Sequence, residues 1–330
     1  MQSPSDTIAT VAPPAVYTRT YTSAEEYAAV NGLVGIRVNG PFPREFHACF
    51  TYMDLGVVKL RCGEASAGLN LVGSVSDNHV FTFGTRPART RLMAGREVSH
   101  EHLFHPRPNE VFTTRSPGDA PFPWGSLVTS YEALACEGSR LAGRAVAPAL
   151  NDAALVRATP VARTRLLRLL EDAVRLAAAM PEVADSPKAA RAFAGVVLEA
   201  LVDCLSGGSR GPDRAAVRRH NQVMTRLEGV VRADCDAALT LSGLCGAVGV
   251  SERTLHEVCM SFAGMPPMRY ARQWRLSAMR TALREADPRR DSVSEIMLRH
   301  GFWEPGRVTA AYRQVFGETP SATLRRAAQA

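Results

Sequence analysis

The sequence predicts an α+β chain of more than one domain, with a β-rich front half that also carries helices and an all-α final quarter. Three observations point there. Between residues 17 and 134, short β-branched and aromatic runs are separated by Gly, Pro and Asn/Asp turns. From residue 160 onward the apolar residues fall at helical spacing instead. In the last quarter a pattern occurs twice, at an offset of 52 to 53 residues.

The chain has 330 residues, which suits two or three domains. Residues 1–16 are polar and proline-containing, and are expected to be a disordered tail with no secretion leader. No stretch approaches the ~18 apolar residues of a membrane span, so a cytoplasmic protein without a membrane partner is expected. The seven cysteines are odd in number, scattered and without a Cys-x-x-Cys pair, which fits free thiols rather than disulfides or a zinc site.

Residues 17–150 are expected to form a β-rich domain. Its strands are read at Gly35–Val38, Phe46–Met53, Val57–Arg61, His79–Phe83, Val111–Thr114 and Leu127–Tyr131. Residues 151–235 continue this half as helices. Leu166, Leu170 and Val174 mark one helix, Phe193, Val197 and Leu201 a second, and Val217, Met224 and Val231 a third. A break at Gly207–Pro212 separates the second from the third.

Residues 236–330 hold the repeat. Leu244, Val248, Gly249 and Val250 return as Ile296, His300, Gly301 and Phe302, and Leu255, Cys259, Gly264 and Pro267 return as Val308, Tyr312, Gly317 and Pro320. Each copy reads as a short apolar helix, a Gly-containing turn, a second amphipathic helix and a Gly-x-x-Pro exit, the layout of a helix-turn-helix. Gly249 and Gly301 supply the positive φ that reverses the chain. Ser251 caps the second helix of the first copy, and Ser292 to Glu295 forms a capping box opening the second copy. Charge follows the repeat: from Thr240 to the end there are 13 Arg, no Lys and 8 acidic residues, net +5 of the chain's +7. A basic terminal module suggests a phosphate-bearing partner.

The run from Leu244 to Leu255 resembles the first helix-turn-helix of the AraC/XylS family of transcription regulators. Arg269 to Arg280 is similar to that family's linker helix, with Arg275-Leu276-Ser277-Ala278-Met279-Arg280 keeping its flavour. Gly301-Phe302 and Phe316-Gly317-Glu318-Thr319-Pro320 match the second unit. Gly306, Val308 and Tyr312 depart from the usual Ser, Phe and Phe. The segment Gly301 to Arg307 is similar to a subgroup that includes ethanolamine-utilisation regulators. Pro305 is tolerated if it falls in the first turn of a helix.

The resemblance implies a sequence-specific DNA-binding regulator, an activator that works as a homodimer on double-stranded DNA and recruits RNA polymerase. It implies base-reading positions at Arg253, His256, Glu257, Arg307, Thr309 and Ala310. Backbone contacts fall at Ser251, Arg272, Arg280, Arg299, Arg313 and Arg326. Arg253 and Arg307 suit guanine, Glu257 a cytosine amino group and Ala310 a thymine methyl. It also implies that the front half, compatible with a cupin-like barrel, is a ligand sensor or dimerisation domain answering a small-molecule effector. Phe81, Phe83, Phe122, Trp124 and Tyr131 are candidates for an apolar pocket there.

An enzymatic alternative, a metal-dependent cupin-type enzyme fused to a DNA-binding module, rests on Gly95, His100, His102, Glu110 and Gly118. The seven residues between His102 and Glu110 are too many for that metal motif, and Pro106 and Pro108 interrupt the strand. These histidines are read as belonging to a turn. No catalytic residues, metal or cofactor are expected, and the protein is not expected to be an enzyme.

Overall fold

The structure is a computed structural model. It describes residues 16–30, 34–39, 45–75, 78–88, 90–106, 111–115, 121, 123–142, 154–179, 186–207, 209–210, 215–233 and 239–327. Residues 1–15 of the expected tail lie outside these, while Val16 already opens a strand.

The front half is built on two antiparallel sheets. One has eight strands in the order β1 (Val16–Tyr21), β3 (Ala48–Asp54), β4 (Val58–Ala65), β11 (Trp124–Thr129), β6 (His79–Gly84), β9 (His102–His105), β12 (Ala154–Arg157), β13 (Ser209–Arg210). The other runs β2 (Val34–Asn39), β5 (Asn70–Ser74), β10 (Val111–Arg115), β7 (Arg91–Met93), β8 (Arg96–Val98). A short helix, α1 (Ala24–Ala29), follows β1, and α2 (Tyr131–Ala142) follows β11.

All six strands read from the sequence are present with shifted ends. The last of them stops at Thr129, and Tyr131 opens α2 instead of closing the strand. The segment His102–His105, expected as a turn, is a strand paired on both edges, with β6 and β12. Pro106 stands just beyond its end, where a missing N–H costs the ladder nothing.

The pleat of the larger sheet divides its side chains between two cores. Leu127 lies opposite Phe81 and Gly125 opposite Phe83. With Leu60, Leu103 and Val156 they pack under α3 (Pro160–Ala179) and α4 (Pro187–Gly207). On the other face Val80, Phe104 and Val128 meet Val72 and Met93 of the smaller sheet. A third cluster joins Tyr27, Val38, Phe46 and Phe50, with Trp124 packed against it.

The cluster holding Val80 and Val128 does not stop at the sheets. It continues through Val223, Met224, Leu227 and Val231 of α5 (Ala215–Ala233) into Leu244, Val248, Leu255, Val258 and Phe262. Thus α5, which the sequence assigns to the helical continuation of the front half, puts its apolar face against the repeated helices. Its buried Glu228 accepts hydrogen bonds from the Tyr270 hydroxyl and from Trp274 Nε1, at 2.9 Å for the indole. A buried carboxylate needs such donors, and here both come from the helix that links the two repeat copies.

Candidate nucleic-acid interface

The first copy of the repeat folds as α6 (Leu241–Val248) and α7 (Glu252–Ala263). Thr240 caps α6 by accepting from Gly243 N, and Ser251 caps α7 by accepting from Thr254 N. Gly249 between them sits at φ 74°, the left-handed conformation that lets the chain turn without a Cβ penalty. The second copy is α9 (Val293–Arg299) and α10 (Pro305–Phe316), with Gly301 at φ 71° in its turn. The capping box is formed: the Ser292 side chain accepts from Glu295 N while the Glu295 side chain accepts from Ser292 N. Pro305 occupies the first turn of α10, where its missing N–H has no helical partner to lose.

Between the copies runs α8 (Pro267–Glu285), 19 residues long. At ~1.5 Å per residue it spans about 28 Å. Tyr270, Ala271 and Trp274 near its start pack with the first copy, and Leu276, Met279 and Leu283 further on pack with Ile296, Phe302, Val308 and Tyr312 of the second. One rigid rod therefore carries both units. A final helix, α11 (Pro320–Ala327), closes the second core through Leu324.

In each copy the second helix buries one stripe and exposes the other. Leu255, Val258 and Cys259 face inward on α7, leaving Ser251, Arg253, His256 and Glu257 exposed at and beyond its start. On α10, Val308 and Tyr312 face inward, Arg307, Ala310 and Arg313 are exposed, and Thr309 is half-buried. Two of the exposed arginines hold local partners: Arg253 Nε donates to Glu257 Oε1 at 2.9 Å, and Arg307 lies 3.0 Å from Glu304. Exposed pairs of this kind are weak and easily exchanged for another acceptor.

Of the other candidate arginines, Arg272 is exposed on α8. Arg299 lies 3.3 Å from Asp291, and Arg326 bonds Glu318 at 2.7 Å. Arg280 is turned inward, its side chain only 14% exposed. It pairs with Glu25 of α1, bonds Glu318 at 2.9 Å and lies 4.7 Å from the centre of the Phe316 ring. Burial pulls its pKa down while the Tyr312 hydroxyl and the Glu318 carboxylate push it back up.

The aromatic residues expected around a pocket do not share one wall. Phe81 and Phe83 point toward α3 and α4, whereas Trp124 belongs to the cluster on the opposite face, where its Nε1 donates to Tyr27 Oη at 2.9 Å. Tyr131 is 40% exposed on α2, and Phe122 lies outside the described residues.

The histidines resolve differently from the metal motif. His102 Nδ1 is 2.8 Å from Ser99 Oγ, Glu110 and Gly118 lie outside the described residues, and among the described residues no group of three metal-ligating side chains assembles. Antiparallel pairing of β6 and β9 instead creates a contact that spacing does not announce: His79 Nδ1 and His105 Nε2 stand 2.8 Å apart in the buried interior. Burial holds the His105 imidazole down to about 3, with His79 beside it adding to the shift.

Six cysteines fall among the described residues and all are free. Burial pushes the thiols of Cys62, Cys204 and Cys259 up to about 12, so these three are poor nucleophiles. No helix among the described residues is long and apolar enough to cross a membrane.

Comparison with known proteins places the repeat. Residues 244–326 match the family described as a helix-turn-helix domain. The chain is 29% identical over 161 residues to XylDLEGF operon transcriptional activator 1 of Pseudomonas putida, covering 49% of this chain and 46% of that protein. It is 34% identical over 149 residues to a Rhodococcus erythropolis protein named "Probable thc operon regulatory protein", covering 43% and 45% respectively. The match thus spans less than half the length of these relatives. Among solved structures, the AraC-like transcriptional activator CuxR aligns over 79% of this chain and 94% of its own, at 14% identity and a TM-score of 0.43. The carboxy-terminal quarter of the chain is thus a double helix-turn-helix module, matched by the helix-turn-helix family and shared with relatives named as operon regulators.

Proposed function

We propose that this protein is a DNA-binding transcription regulator that reads one duplex with both units of a single chain. The observation that carries the reading is the mounting of two exposed recognition helices, α7 and α10, on the one 19-residue helix α8. At about 28 Å, α8 is comparable in length to the ~34 Å between successive major grooves on one face of DNA, the scale on which two units of one chain reach neighbouring grooves. On this reading Arg253, His256, Glu257, Arg307, Thr309 and Ala310 read bases. Ser251, Arg272, Arg299, Arg313 and Arg326 hold the backbone, and Arg280 joins them only after giving up its carboxylate partners. Exchange of the Arg253–Glu257 pair for a guanine edge on one side and a cytosine amino group on the other conserves hydrogen bonds.

The front half is proposed to control this module, through a small-molecule effector or by pairing two copies, and thereby to control RNA polymerase recruitment. Supporting this is the continuous core that runs from the sheets into the first unit. Genome-wide footprinting of the bound full-length protein supplies the operator and tests the reading. With the operator in hand, Arg253→Ala is expected to erase preference at one base pair while leaving weak, salt-sensitive binding. Equal loss on operator and random duplexes assigns Arg253 to the backbone instead.

A further inference from the structure

Between the first turns of α8 and the turn joining α9 to α10 lies an open cleft of about 520 Å³. Four guanidinium groups line it, from Arg269, Arg272 and Arg275 on one wall and Arg307 on the other, against a single carboxylate, Glu304. Arg269, Arg272 and Arg307 are exposed. At the lip stands Trp303, 67% exposed, while the other two tryptophans of the chain are half-buried or buried. Gathering like charges around one opening is unfavourable unless an anion spends time there. A bare indole beside them adds a flat face of the kind that stacks on sugars and bases.

The position of the cleft narrows the choice of anion. One wall is the start of α8, which three residues separate from the end of α7, and the other is the start of α10. It therefore lies between the two helices assigned to successive grooves, where the sugar–phosphate backbone must cross from one to the other. We propose that this cleft is a seat for the DNA backbone, with Arg269, Arg272 and Arg307 on phosphate oxygens and Trp303 laid against the neighbouring deoxyribose. The proposal rests on the DNA-binding reading and deepens it. It adds Arg269 and Trp303 as contacts, and it makes Arg307 serve the backbone as well as, or in place of, a base.

The contact carries no sequence information, so a random-sequence 40-bp duplex is a sufficient probe for the full-length protein. Arg269→Ala with Arg272→Ala is expected to weaken binding to it about tenfold, and to lower the slope of log Kd against log salt by roughly two, one counterion per phosphate released. A front-half control, Arg168→Ala with Arg191→Ala, removes the same charge from exposed positions on α3 and α4 and is expected to leave that slope unchanged. Tryptophan emission is expected to change when the duplex is added, and Trp303→Phe to abolish the change. Inorganic phosphate at matched ionic strength is expected to leave emission unaltered. Unchanged slope in the cleft variant, equal loss in the control, or an emission response to phosphate but not to duplex each overturns the assignment. Melting temperatures within a degree or two of wild type confirm that the exposed substitutions leave the fold intact. A wild-type protein with no affinity for duplex at any salt overturns the DNA-binding reading itself, and this proposal with it.

Discussion

The two helix-turn-helix units share caps, turn glycines and inward stripes, yet different forces tie them to the front half. The first unit has no core of its own: its Leu244, Val248, Leu255, Val258 and Phe262 belong to the cluster that contains Val72, Val80, Met93 and Val128 of the sheets. Phe262 sits at the seam, its carbonyl accepting a buried hydrogen bond from Thr113 Oγ1 at 3.0 Å and its ring lying against Gly95. The second unit closes a separate core around Tyr312 and Phe316. Ion pairs tie it to the front half, through Glu25 and Glu26 of α1 with Arg280 and Arg284 of α8, and α8 also runs beside β2. Packing is short-ranged and unforgiving, while ion pairs tolerate small displacements, and the half-exposed Arg284 pairs are also screened by salt. A structural change in the sheets is therefore felt rigidly by the first unit and loosely by the second.

The largest effect that separates them comes from the seam. Phe262→Ala removes a ring that is 2% exposed and is expected to cost about 3–5 kcal/mol by urea unfolding. Amide exchange should rise in both α7 and β10. Phe316→Ala, within the separate core, should raise exchange in α9, α10 and α11 and leave β10 protected. If Phe316→Ala loosens β10 equally, the two units share one cooperative core and the distinction fails.

Acid provides an intermediate effect. In the unfolded chain an imidazole titrates near ~6.5, whereas burial keeps His105 unprotonated down to about 3 and lowers His79 as well, against the opposing pull of Glu132. The folded state therefore refuses a proton that the unfolded state accepts. Stability is complete above pH ~6.5 and falls as pH drops below it, by up to about 1.4 kcal/mol per pH unit for His105. His105→Phe, which keeps an aromatic ring stacked on Phe81, should flatten that fall between pH 6.5 and 4.5. Because His105 lies in the larger sheet, acid should expose the first unit to exchange before the second. Simultaneous loss of both would contradict the comparison.

How much of this was readable beforehand follows the range of the interactions. Caps, turn glycines, Pro305 and the inward stripes of α7 and α10 depend on neighbours within one or two turns, and the sequence alone places them. The same holds for the exposure of Arg253, His256 and Glu257, which follows from helical period, whereas Arg307, Thr309 and Ala310 were implied by the resemblance, and Thr309 is half-buried. Arg280 shows the limit: its place on the linker helix was legible, but its partners Glu25 and Glu318 come from opposite ends of the chain. The His79–His105 contact depends on which strands pair, and α5 on which apolar surface its stripe meets. A stripe announces that a helix will be covered, not by what. Trp303 stood in plain view in the sequence, but only its exposure beside the arginines gives it meaning.

The smallest effect tests the soft link directly. Glu25 lies against both Arg280 and Arg284, with its carboxylate 3.5 Å from Arg284, and Arg284 is 44% exposed. Glu25→Gln leaves Arg280 bonded to Glu318, so no charge is stranded and the loss should stay well below the ~3–5 kcal/mol of a buried pair left unpaired. Raising salt to 1 M should remove mainly the share of that difference carried by the half-exposed Arg284 and leave the share carried by the inward-turned Arg280, because partly buried pairs are screened much less. Exchange should quicken in α9 and α10 and stay unchanged in α7, because packing rather than charge holds the first unit. An equal response in α7 would mean that α1 straps the whole module through α8, and that the linker helix transmits charge changes to both recognition helices alike.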